Sequence, residues 1–144
     1  MQYELSETAY ATACAGEHPF TTEFLPVLAA MLAPFQYALT PSLSRSLLLK
    51  VATYMAKQLE PRIRRKRFNL LGALQWESDA RSLTTFFVAR AGASARDRFS
   101  RINTLASLLS CQTISEAEEM FKSGGGAALT KEDFSAILKL RVDF

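Results

Sequence analysis

Leu48, Val51, Met55, Leu59 and Ile63 fall at spacings of three and four, the signature of one apolar helix face. The spacing returns further along the chain. Trp76, Ala80, Leu83 and Phe87 form a second stripe, and Ala95, Phe99, Ile102, Ala106 and Leu109 a third. Nothing alternates convincingly over strand length, and no internal repeat is present. Stripes of this kind have to bury against one another. The pattern therefore predicts an all-α fold, an antiparallel helical bundle of about six helices with mostly short connections.

Local signals set the expected boundaries. Residues 1–17 carry weak periodicity and read as an irregular lead-in with a short helical turn after Ser6; the bundle domain is expected over 18–144. Pro19 suits a first helical position. From there Phe20, Phe24, Val27, Met31 and Phe35 are expected on the buried face, with Pro26 and Pro34 kinking or splitting the helix. Thr40-Pro41 repeats the start signal, and the stripe that follows continues in phase across Pro61, which predicts a kink there. Asn69 to Leu74 is expected to be a connector with Gly72 in the left-handed conformation. Glu77 and Arg81 stand four apart on the polar side of the next helix, which Gly92 ends. Ser94 is the expected cap of the following helix. Thr113-Ile-Ser-Glu116 fits a capping box, opening a short helix with Ile114, Ala117 and Phe121 inward. Gly124, Gly125 and Gly126 stop it in a flexible stretch. Thr130 then caps the last helix, with Asp133 at its third position and Phe134, Ile137 and Leu138 inward.

At 144 residues, 49% hydrophobic and 22% charged, the chain has the makings of one domain with a real core. No apolar run reaches the roughly 18 residues of a membrane span. Leu25 to Leu39 comes nearest and is interrupted by Pro26, Pro34 and Gln36. The N-terminus lacks the basic start and apolar stretch of a signal peptide, so the cytosol, or the cytosolic face of a membrane, is the expected location. Cys14 and Cys111 supply neither metal spacing nor a disulfide framework. His18 precedes Pro19, where capping or exposure accounts for it. Glu118-Glu119 reads as a solvated pair. No nucleophile has a base within reach, and the triple glycine has neither the lysine nor the preceding strand of a phosphate loop. Neither an enzyme nor a cofactor is expected.

The net charge of +3 and isoelectric point near 9.0 are mild, and the excess is local. Arg62, Arg64, Arg65, Lys66 and Arg67 crowd one short run. Such a run could meet anionic lipid headgroups, at about 1 kcal/mol per basic residue. It could meet nucleic acid or an acidic partner, or be a solvated helix end where positive charge suits the macrodipole. Only Phe68 adjoins it, so the interleaved aromatics of a nucleic-acid binder are missing and no nucleic acid is expected. Arg96 is expected in the first turn of a helix, where the dipole disfavours a cation. Either Asp133 partners it in a salt bridge, or Asp133 only completes its own cap and Arg96 is solvated.

Several ordered strings go beyond patterning. His18-Pro19 leads a helix, and Phe35 to Pro41 reads Phe-Gln-Tyr-Ala-Leu-Thr-Pro. Phe68-Asn-Leu-Leu-Gly-Ala-Leu-Gln-Trp76 is followed by Arg81-Ser-Leu83, Arg96-Asp-Arg-Phe-Ser-Arg101 and the closing Leu138-Lys-Leu-Arg-Val-Asp-Phe144. In order and spacing this chain resembles the C-terminal region of subunit 4 of the conserved oligomeric Golgi complex, a vesicle tether. Tyr3-Glu-Leu-Ser-Glu7 is similar to some members as well. The resemblance implies a helical-rod module that tethers vesicles in retrograde transport within the Golgi, peripheral on the cytosolic face of its membrane. It implies other subunits of the complex as partners, with SNAREs and Rab GTPases, and neither cofactor nor catalytic residue. Gly72 and Gln75 would form the family's signature turn, and Arg81 and Arg101 an interaction surface. Family members are several times longer, so the chain is expected to be the C-terminal part of a longer subunit. Pro26, Pro34, Pro61, the basic run and the triple glycine depart from the family pattern. Two other readings are another helical tether, such as the exocyst or an endoplasmic-reticulum tether, and a basic helical nucleic-acid-binding protein. The signature from Phe68 to Arg101 argues against the former.

Overall fold

The computed structural model describes residues 3–125 and 129–144. They form an all-α bundle: α1 (Glu7–Thr12), α2 (Leu25–Ala38), α3 (Pro41–Ile63), α4 (Leu70–Ala91), α5 (Ser94–Arg98), α6 (Ser100–Ser110), α7 (Ile114–Met120) and α8 (Lys131–Leu138). Ser6 caps α1, as the sequence suggests for a helical turn in the lead-in. Gly126 lies outside the described residues.

The long α4 is the centre. Trp76, Ala80, Leu83 and Phe87 are all buried, and α3, α5 and α6 pack around it. Thr40 caps α3 through its hydroxyl, and α3 runs on through Pro61 with Leu48 and Ile63 buried. Gly92 ends α4 at φ 88°, a conformation that a side chain would resist. The stripe from Ala95 to Leu109 is buried, but Phe99 (φ −104°, ψ 4°) splits its helix into α5 and α6. Ser94 is the first residue of α5 rather than its cap, and no side chain caps that helix. Ile114 is exposed, so the inward face of α7 rests on Ala117, with Phe121 stacked on Phe134 at 4.6 Å.

The expected inward stripe of the first long helix is turned around. Phe20 is buried, but Val27, Met31 and Phe35 are 58%, 65% and 52% exposed. Leu25, Leu28, Ala29 and Leu32 face the core instead. The cause is a widened turn over Phe20–Phe24, closed by Leu25 N–H donating to Phe20 O just before Pro26, which has no N–H to give. One extra residue in a turn rotates everything after it by about 100°. Pro34 is carried within α2.

Gly72 is not left-handed. It sits in the first turn of α4, which begins at Leu70 with Asn69 as cap, so the expected connector is largely helix. What Gly72 provides is clearance: a Cβ there would lie 1.5 Å from the carbonyl oxygen of Tyr3. The chain start crosses α4 at this point. Asn69 Oδ1 accepts from Gly72 N–H at 2.8 Å and from Leu5 N–H at 3.1 Å, while Asn69 Nδ2 donates to Leu5 O at 2.6 Å. Phe68 bridges Tyr3 on one side and Arg141 on the other, with Phe68 N–H donating to Leu140 O and Val142 N–H to Phe68 O, both at 2.9 Å. Helix propensity alone would make Gly72→Ala stabilising by about 1 kcal/mol. The crossing reverses the sign: we expect a loss of about 3 kcal/mol, read as a lower urea midpoint.

Candidate interaction site

Four charged side chains interlock where α3, α6 and α8 meet. Arg101, in the first turn of α6, donates to Glu60 of α3 through Nε (2.7 Å) and Nη2 (2.9 Å), and through Nη2 to Asp133 of α8 (3.3 Å). Arg64, at the end of α3, donates to Glu60 at 2.8 Å and to Asp133 at 2.7 Å. Signs alternate around the group, and two-pronged guanidinium contacts of this kind are the strong ones. Asp133 also completes the capping box of α8 with Thr130. The hydrogen bond from Arg64, then that from Thr130 N–H, hold its carboxyl down at about 2. Arg101 foremost pulls Glu60 below the usual carboxylate range.

This corrects two readings. Arg96 does not partner Asp133: it is exposed, and Asp133 is taken by Arg64 and Arg101. Arg96 and Arg101 are five residues apart, with the helix break at Phe99 between them, so they leave the helix in different directions. Arg101, expected on an interaction surface, is instead a packing contact that fastens α6 to α3 and α8. The basic run is divided in the same way. Arg64 turns into the network and Lys66 is half-buried, whereas Arg62, Arg65 and Arg67 are exposed, with Arg67 3.7 Å from Glu4.

Arg81 and Arg96 come together elsewhere. They line a cavity of about 270 Å³ between α4, α5 and α6, with Glu77, Asn103 and Ser107. Arg81 lies 3.8 Å from Glu77, which accepts from Ser107 at 3.2 Å. Gln75 is buried rather than part of a turn, and its side chain donates to Asp79 at 2.8 Å. Asp79, wholly buried, also accepts from the Tyr3 hydroxyl at 2.6 Å and lies 3.2 Å from His18 Nδ1. Burial raises its carboxyl above the ordinary range against the opposing pull of these donors. His18 is thus a buried neighbour of a carboxylate rather than an exposed residue, and its carbonyl caps the turn that follows by accepting from Thr21 and Thr22 N–H. Arg141 is buried too: it donates to the carbonyls of Leu109 and Cys111 that end α6, and to Asp143 at 2.7 Å. Helical spacing carried no signal for Asp79 or Arg141, because each is paired across elements. Among the described residues no group of His, Cys, Asp and Glu could hold a metal, and no helix is long and apolar enough to cross a membrane.

Residues 1–138 match the family described as conserved oligomeric Golgi complex subunit 4, C-terminal. The chain belongs to that family. Its described helices, the charge network and the Arg81–Arg96 cavity all fall within the matched residues. It is similar to conserved oligomeric Golgi complex subunit 4 of Caenorhabditis elegans, 32% identical over 133 residues that cover 88% of this chain and 17% of that protein. It is 30% identical to the Arabidopsis thaliana subunit over 147 residues, 100% of the chain and 20% of the relative. The Dictyostelium discoideum subunit is 28% identical over 148 residues, 100% of the chain and 16% of the relative. The chain therefore spans no more than a fifth of the length of these subunit 4 relatives.

Three outcomes follow from the network. Arg101→Met leaves Glu60 half-buried with one cation fewer and should cost about 2 kcal/mol, above the range of an exposed pair. In double-mutant cycles Arg101 and Asp133 should couple by about 1 kcal/mol, while Arg96 and Asp133 show no coupling. The Asp133 carboxyl falls from an ordinary 3.8 to about 2 on folding. Its contribution is thus complete above about pH 4 and lost as pH falls toward 2. Asp133→Asn should flatten the acid limb of a stability profile over that window.

Proposed function

We propose that this chain is a structural, non-enzymatic module of the conserved oligomeric Golgi tethering complex, serving vesicle tethering and retrograde transport within the Golgi through protein–protein contacts. Family membership supports the compartment and the assembly. The observation that carries the contact is the outward face of α2. Val27, Met31 and Phe35 lie four residues apart and largely exposed, and Tyr37 beyond them is 90% exposed. An apolar stripe at helical spacing on a surface is what a helix-packing partner covers. Other subunits of the complex are the partners on this reading, with SNAREs and Rab GTPases contacted through the assembled tether. The lead-in and bundle act as one domain, peripheral on the cytosolic face of the Golgi membrane. Exposed Arg62, Arg65 and Arg67 add weak, salt-sensitive attraction to an anionic leaflet.

Proximity labelling from the chain expressed in cells tests the main reading, which fails if no Golgi-complex subunit is labelled. The α2 face is tested separately with Met31→Asp and Phe35→Asp together. Their exposed positions should leave the melting temperature nearly unchanged while labelling of the complex falls at least about tenfold, as expected for central apolar anchors. Undiminished labelling by this variant would assign the contact to another surface.

A further inference from the structure

We propose that a groove along α4 binds a short acidic peptide segment, with arginines reading its carboxylates and an apolar end seating one large side chain. The groove is made of two adjoining cavities that share Arg81 and Thr85. One is the 270 Å³ space between α4, α5 and α6. The other, of about 460 Å³, runs from Ser78 past Phe86 to Arg90 and ends against Leu25 of α2. From Glu77 to Arg90 along the helix is about 20 Å, room for about six extended residues.

The lining chemistry selects the occupant. Arg81, Arg90 and Arg96 face a single carboxylate, Glu77, so the groove carries an excess of positive charge. One of the three guanidiniums is held in place: Arg90 stacks over the Phe86 ring at 3.7 Å and donates to Phe86 O at 3.1 Å, while the exposed Arg81 lies 3.8 Å from Glu77. The Arg96 side chain has no ion pair or hydrogen bond among the described residues and stands exposed at the middle of the five-residue α5. The floor is ordered and polar, with Asn103 Nδ2 donating to Thr84 Oγ1 at 3.0 Å and Thr84 Oγ1 to Ala80 O at 2.8 Å. Guanidiniums strung along a rigid helix match several carboxylates on one strand better than one compact anion. Leu25, Phe86 and Ala89 at the far end supply the apolar pocket.

This goes beyond the tether reading and stands apart from it, because the isolated chain is what binds. The probe is a short fluorescein-labelled peptide of glutamates and aspartates ending in leucine and phenylalanine, followed by anisotropy. Binding is expected, weakening as salt rises from about 50 to about 300 mM. It should fall at least about tenfold in the Arg81→Glu, Arg96→Glu double variant and less than twofold in the Arg62→Glu, Arg65→Glu double variant. Amide shift changes on the unaltered chain should concentrate over residues 77–90 and 96–107, a readout that needs no variant to fold. Absence of binding would overturn the proposal. So would equal loss in both double variants, shift changes elsewhere, or displacement of the peptide by anionic phosphatidylserine vesicles as effective as excess unlabelled peptide.

Discussion

The first turn of α4 has room on one side for backbone and nothing more, because Tyr3 O occupies the place of a Gly72 side chain. Much of the architecture hangs on that clearance. With the chain start lying there, the Tyr3 ring stacks on Phe68 at 5.2 Å and its hydroxyl reaches Asp79, about two turns along the same face of the helix. Asp79 in turn holds Gln75 and His18, so the entry to the α2 segment is fixed to α4 as well. On the other side Phe68 pairs with the C-terminal segment, whose Arg141 satisfies the last carbonyls of α6. Asp143 accepts from Leu70 N–H, one of the donors that a helix start leaves without partners. Three segments remote in sequence meet over one helical turn.

Charge does the corresponding work where α3, α6 and α8 meet. Arg64 closes the C-terminus of α3 and Asp133 opens the N-terminus of α8, each on the side its helix dipole favours. Arg101 stands near an N-terminus, against the dipole, and is compensated by Glu60 and Asp133 together. A half-buried cation so placed is tolerable only with its carboxylates present. Because Arg64 is committed inward, the basic run presents fewer free charges than its composition implies.

The α-class, the α3, α4 and α6 stripes, and the caps at Thr40 and Thr130 were legible because each depends on neighbours within one or two turns. The errors have a common origin. A widened turn at Phe20–Phe24 shifts helical phase without any change of composition, and the stripe read through it came out on the wrong face. Gly72 was legible as special but not why: left-handed backbone and close approach both demand glycine, and only the crossing of Tyr3 distinguishes them. The sequence pointed Arg96 toward a carboxylate and Arg101 toward an interaction surface. Which of them receives Asp133 depends on the break at Phe99, whose apolar spacing is the same in a broken helix and a continuous one. Asp79 and Arg141 are buried only because partners from distant segments reach them, which periodicity does not encode.

The division between inward and outward charge bears on what a module of this kind can do. A module that works by contact acts through the stiffness and chemistry of its faces, and stiffness limits the entropy lost when a partner docks. In this chain the helix that carries the groove is the helix most deeply embedded, pinned at its first turn by Tyr3, Phe68 and Asp143 and packed along its length by α3 and α6. The α2 helix borders both surfaces: Leu25 closes the groove, while Val27, Met31 and Phe35 point away from the core. The widened turn before Pro26 sets both at once, since the phase that turns Leu25, Leu28 and Leu32 inward is the phase that turns the apolar stripe out. A change that restored a regular turn there would rotate the stripe toward the core and carry Leu25 off the groove together.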